Sequence, residues 1–185
     1  MRSRGFEGMV CSAADVLGAL GDRWGTLLMR DLLLGLTRYE DLRRSTGATN
    51  ATLSDRLREL EANGLVERRR YQTRPDRYEY LPTPRGRDLK LLLTAMVQIG
   101  DTWNLADREG PPLRFVDTRT GRRVALALVD AETREPVSAG HVAVEAGCGA
   151  DAVMRWRLER AAALRKAGSD AGPVSADGDA TPRAR

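Results

Sequence analysis

The chain is poor in most of what marks a redox, metal or catalytic protein. It has two cysteines, Cys11 and Cys148, and one histidine, His141. Two distant thiols form neither a disulfide framework nor a metal-ligand spacing, and one imidazole cannot complete a tetrahedral zinc site with them. No metal and no other cofactor is expected. Residues 113–167 hold no glycine-rich phosphate loop and no nucleophile–base pair, so an enzyme is not expected either. No run approaches the ~18 uninterrupted apolar residues of a membrane span. The N-terminus "MRSRGFEGMVCSAAD" lacks the apolar segment of a secretory signal. These absences leave a soluble cytoplasmic protein with no membrane partner.

Lysine is also nearly missing, since only Lys90 and Lys166 stand among 30 basic residues. Arginine carries the charge, a usage that fits a GC-rich bacterial genome and says little about function. A net charge of +4 is too mild to indicate a polyanion partner by itself, so its distribution must decide. Seven arginines (68, 69, 70, 74, 77, 85, 87) face only Glu67, Asp76 and Glu79 between Leu65 and Arg87. The excess is concentrated there.

Helical spacing begins at "SAADVLGALGDRW", and Asp22 suits the N-cap of a second helix, "RWGTLLMRDLLLG". A third, "RYEDLRRST", would bury Tyr39 and Leu42 and expose Arg38, Arg43 and Arg44. After Gly47, Thr49 caps a fourth helix to about Ala62, with Leu53, Leu57 and Leu60 on one stripe. Asn63-Gly64 is its stop. "LVERRRYQ" and "RYEYLP" then alternate around Arg74-Pro75-Asp76, which reads as a β-hairpin. Thr83 and Pro84 start a long helix running to about Asp107, whose Leu89, Leu92, Leu93, Met96, Ile99 and Trp103 make a broad apolar stripe. Gly110-Pro111-Pro112 is a boundary. Residues 113–147 alternate like two or three strands, with turns at Thr120-Gly121 and Glu135-Pro136. A helix is expected from Asp151 to Ala167, and the remainder lacks apolar periodicity.

Short helices, a capped fourth helix and a basic hairpin describe a winged helix-turn-helix, an α+β fold. Such a fold lays its second motif helix in the major groove. The leucine stripe would fix that helix, leaving Thr49, Asn50, Ser54 and Arg56 nearer double-stranded DNA. Asn matches adenine and Arg matches guanine edges, although Arg56 could equally contact phosphate or pair with Asp55 or Glu59. Arg38 and the wing residues Arg74 and Arg77 complete the DNA-binding set.

Cys11 ahead of "LGALGDRW", then "LLMRDLLLGLTRYEDLRRS", "LSDRLRELEANGLVERR" and "RYEYLPTPRGRDL" resemble the HxlR-type branch of the MarR-like winged-helix regulators over about residues 9–107. The resemblance implies a homodimeric bacterial transcription factor on a two-fold operator, its seam built from the N-terminal helix and the long helix after the wing. Leu17, Leu89, Leu92, Leu93, Met96 and Trp103 are the seam candidates. It also implies a reading of Cys11 as an oxidant or electrophile sensor, against which stands a small buried residue at the seam. Ser12 follows it where relatives frequently have proline. Some long relatives carry an appended β-piece with paired cysteines that could hold zinc, but Asp130 and Thr133 stand where that pair would fall. Met96 and Trp103, with Met154 and Trp156, would suit an effector pocket; core packing explains them equally well.

The expected organisation is a flexible arm over 1–8, a DNA-binding and dimerisation domain over 9–110, a small β-rich appendage with a helix over 111–167, and a disordered tail over 168–185. The expected function is a ligand-responsive repressor of transcription. The alternatives are oxidant sensing through Cys11, a regulatory domain fused to a catalytic C-terminal segment, and a constitutive, sequence-tolerant DNA-binding protein.

Overall fold

The computed structural model describes residues 5–170. The tail expected to be disordered lies outside them from residue 171 onward, as do the first four residues of the expected arm. In chain order come α1 (Ser12–Leu20), α2 (Arg23–Leu33), α3 (Tyr39–Thr46), α4 (Asn50–Ala62), β1 (Val66–Thr73), β2 (Asp76–Pro82), α5 (Pro84–Trp103) and α6 (Ala152–Asp170). The chain divides after Ser138 into two compact units. The first holds α1–α5 and the hairpin, and α6 lies in the second. No described helix is long and apolar enough to cross a membrane.

The starts of α2, α4 and α5 are fixed by the cap residues the sequence offers for them. Asp22 Oδ1 accepts from the backbone N–H groups of Trp24 at 2.8 Å and Gly25 at 3.0 Å. Thr49 Oγ1 accepts from Thr52 N–H at 3.2 Å. Thr83 Oγ1 accepts from Gly86 N–H at 3.1 Å and donates to Gly64 O at 2.7 Å, joining α5 to the end of α4. Such caps satisfy donors that the first turn leaves unpaired, each stabilising by about 1 kcal/mol. Between α3 and α4 the chain reverses at Gly47, whose φ of 69° is left-handed and costs a glycine nothing.

The core of the first unit is built by Leu28, Met29 and Leu32 of α2, Leu42 of α3, and Leu53, Leu57 and Leu60 of α4. Leu65, Val66 and Leu89 close it. Burying each leucine contributes roughly 1.5–3 kcal/mol, so the three from α4 hold that helix in one rotational setting. At the junction with α5 the fit is too tight for any side chain. A Cβ on Gly86 would lie 2.0 Å from Leu65 O, so α5 starts directly against the backbone that leaves α4.

The hairpin is antiparallel, from Val66 opposite Pro82 to Thr73 opposite Asp76, with an irregularity at Tyr71. Beside β2, Tyr80 N–H donates to Thr37 O at 2.8 Å and Arg38 bridges to Glu79, which ties the wing to the start of α3.

Three expectations differ from what forms. α6 runs on to Asp170, three residues into the stretch expected to be disordered from 168. α5 stops at Trp103, where Asn104 takes the left-handed conformation (φ 43°), short of the expected Asp107. The strands expected over 113–147 do not form among the described residues. The chain turns back where expected, but each turn closes with a single bridge, Val116 to Arg123 and Val129 to Pro136. Alternation makes a strand only when one face has a layer to bury against, and here Val116, Val124, Leu128 and Val129 all remain exposed. Side chains shape the turns instead. Asp117 Oδ1 accepts from Arg119 N–H at 2.8 Å, and Asp130 Oδ1 accepts from Glu132 and Thr133 N–H, both at 2.9 Å. Gln98 then holds the segment on α5 from both sides of its amide. Its Nε2 donates to Leu126 O and Leu126 N–H donates to its Oε1, each at 3.0 Å. Residues 111–138 accordingly pack with the first unit.

Candidate nucleic-acid interface

On α4 the inward face is Leu53, Leu57 and Leu60, and the outward face carries Asn50, Ala51, Asp55 and Arg58, preceded by exposed Thr49. Tyr39 of α3 sets the start of this helix, donating its hydroxyl to Asn50 O at 3.0 Å and sharing a second hydrogen bond with Ser54 Oγ, also at 3.0 Å. Ser54 is thus half-buried and engaged with α3.

Arg56 lies on the flank facing α2. Its guanidinium pairs with Glu59, and its Nε stands 3.1 Å from Asp22 Oδ2 without hydrogen-bond geometry. The hydrogen bond to Glu59 raises its already high pKa further. Asp22 therefore serves twice, capping α2 through Oδ1 and facing Arg56 through Oδ2. Of the carboxylates considered for Arg56, the structure pairs it with Glu59, and it adds Asp22 rather than Asp55. Arg58, which the sequence reading passed over, is the more exposed arginine and pairs with Asp55 at 3.0 Å across one open turn. Its signal was present in the helical period, since it falls opposite the leucine stripe.

The arginine cluster of the wing resolves into different environments. Arg69 pairs with Glu79 across the strands at 2.9 Å, and Arg70 stands 3.6 Å from Asp76. The Arg68 guanidinium carbon lies over the Tyr78 ring, 3.6 Å from its centroid, and that of Arg38 lies 5.0 Å from the centroid of Tyr71. All four tyrosines of the chain line one groove between the start of α3 and the hairpin. Burial there pushes the Tyr80 hydroxyl pKa up. A guanidinium stacked on a ring keeps its in-plane N–H donors available for an oxyanion. Arg74 and Arg77 are exposed at the wing tip, and neither has a side-chain ion pair among the described residues. Residue type alone could not separate these cations; the cross-strand register does.

The expected seam residues divide. Leu89 is buried in the core and Leu93 packs against it. Leu92, Met96 and Ile99 of α5 remain exposed, as do Trp103 (67%) and Leu17 of α1 (55%). Cys11 is half-buried at the N-cap position of α1, and Cys148 is exposed in the second unit. Met154 and Trp156 stand on α6 in that second unit.

Comparison with known proteins agrees with this geometry. The HxlR-like helix-turn-helix family profile matches residues 19–108. An uncharacterized HTH-type transcriptional regulator of Mycobacterium bovis is 35% identical over 147 residues, spanning 80% of this chain and 91% of that protein. Among solved structures, PA1607, provisionally described as a transcription factor, aligns with a TM-score of 0.67 and 30% identity. It covers 76% of this chain and 97% of its own. PA1374 from Pseudomonas aeruginosa, described in the same provisional terms, aligns with a TM-score of 0.55 and 34% identity, covering 80% and 100%. A capped α4 behind a short turn, a basic wing and these likenesses over most of the chain lead to one statement: the chain belongs to the HxlR-like helix-turn-helix family of transcriptional regulators.

Proposed function

We propose that the chain is a homodimeric repressor that reads a two-fold operator and responds to a small molecule. The observation that carries this reading is the open face of α4 beside unpaired Arg74 and Arg77. In this reading α4 lies in the major groove, with Thr49, Asn50 and Arg58 toward base edges or adjoining phosphates. The wing follows the flanking backbone through Arg74, Arg77 and the ring-stacked Arg38 and Arg68. Tyr39, Ser54 and Arg56 act mainly by fixing the pose of α4. Phosphate contacts position the protein and base contacts specify the sequence.

The exposed apolar residues of α1 and α5 support pairing with a second copy, which matches the symmetry of an operator with half-sites roughly 34 Å apart. A small molecule that prefers one separation of the two α4 helices over another changes affinity by its differential binding.

The test is fluorescence anisotropy on the DNA upstream of the protein's own gene against scrambled DNA at fixed salt. Arg74→Ala with Arg77→Ala should weaken binding to both and flatten the dependence on salt by roughly two charges. A double variant with the parent salt slope removes the wing from the interface, and equal affinity for the two DNAs removes the operator.

A further inference from the structure

A second groove lies on α5, away from the wing, where the segment over 113–125 passes beside the helix. Its walls are Val97, Phe115 and Val124, and three charged groups line it, Arg114, Arg123 and Asp101. None of the three has an ion pair or ring contact among the described residues. The two sides of the groove are held in register by the paired hydrogen bonds between Gln98 and Leu126. At about 100° per residue, Val97 and Asp101 lie roughly 100° or more around α5 from Leu92, Met96 and Trp103. A second copy seated on that apolar stripe would leave the groove open.

We propose that this groove binds a small organic monoanion, a carboxylate carrying a ring-sized apolar body. The charge follows from the lining, since two arginines against one aspartate leave a single positive charge to neutralise. The head group follows from guanidinium geometry, because two parallel N–H donors match the two oxygens of a carboxylate. The body follows from Phe115 and the two valines, which offer apolar surface but no further donor for a polar tail. Arg114 and Arg123 are the recognition residues, Gln98 is the positioning residue, and Asp101 opposes a second negative charge and so excludes dianions.

The test is isothermal titration calorimetry on the full chain with 2-naphthoate as probe and neutral 2-naphthamide as its isostere. The acid should bind at one site per chain, and the amide at least about tenfold more weakly. Arg114→Gln with Arg123→Gln should weaken the acid by about tenfold or more. Both arginines are exposed, so the fold is expected to survive, with thermal unfolding as the check. Asp101→Asn should tighten the acid, by roughly threefold at surface dielectric, a gain that damage to the fold would not produce. Equal affinity for acid and amide, parent affinity in the double arginine variant, weaker binding in Asp101→Asn, or no heat at millimolar probe overturns the assignment. The titration contains no DNA, so its outcome stands apart from whether α4 and the wing contact an operator.

Discussion

Tyr39 is where one side chain sets how the start of α4 is presented. Its ring packs against the core and its hydroxyl reaches Asn50 O and Ser54 Oγ, so it spans the two helices of the motif at the end that would enter the groove. Tyr39→Phe keeps the ring and removes both hydrogen bonds. Thermal or urea unfolding should show a loss of about 1 kcal/mol. Operator affinity should fall severalfold while the salt slope stays that of the parent, because no phosphate contact is lost. A flattened slope in this variant would make the hydroxyl itself a DNA ligand. The sequence marked Tyr39 only as a buried aromatic. Its partner across the turn is eleven residues away, and nothing in the helical period announces that contact. Arg56 teaches the same point from the other side. Its type suits a guanine edge, but a position beside the leucine stripe delivers it to Asp22 and Glu59.

Elements whose signals are local were legible before the structure. Asp22, Thr49 and Thr83 each cap the helix assigned to them because a cap needs only its own next three residues. The hairpin was legible because Arg74 and Pro75 supply its turn, while Val66 and Tyr80 anchor its base on the core. Residues 113–147 show where that reasoning fails, since period-two alternation states that a strand is permitted, not that a layer exists to receive it. There the turns depend on their aspartates. The N–H of Arg119 holds the Asp117 carboxyl below its ordinary pKa, and Thr133 N–H, then Glu132 N–H, does the same for Asp130. A carboxylate whose folded pKa is depressed contributes fully above its unfolded value, about 3.9, and the contribution is lost as pH falls through the lower folded value. Carboxyl carbon NMR titration should therefore give both midpoints below about 3.9. The amide signals of Arg119 and Thr133 should move with those midpoints, leaving the turns intact at pH 5. Midpoints at or above the ordinary value would mean the turns are held by backbone alone.

For the whole molecule the decisive feature is the apolar surface that the first unit keeps in contact with solvent. Leu92, Met96, Ile99 and Trp103 recur along α5 at helical spacing, and Leu17 adds to the exposed set from α1. Single exposed apolar residues need no explanation, but a recurring stripe on a helix of five turns or so does. Packing inside the unit answers for only part of it, because Leu89 and Leu93 supply the contact with the core. A second copy offers an identical stripe, and α5 begins against the backbone leaving α4. Joining two α5 helices would therefore set the spacing of two α4 helices through one rigid element each. Met96→Glu with Ile99→Glu places two carboxylates on the stripe without touching a buried residue. Sedimentation velocity should then give a single-chain species at concentrations where the parent sediments as a dimer, with far-UV circular dichroism unchanged. Operator affinity should fall by orders of magnitude, because each half-site is then bound alone and the gain from linking two sites disappears. Binding to scrambled DNA, governed by phosphates, should change far less. If the double variant sediments as the parent does, the stripe is not the seam, and the two-fold reading of the operator loses its support.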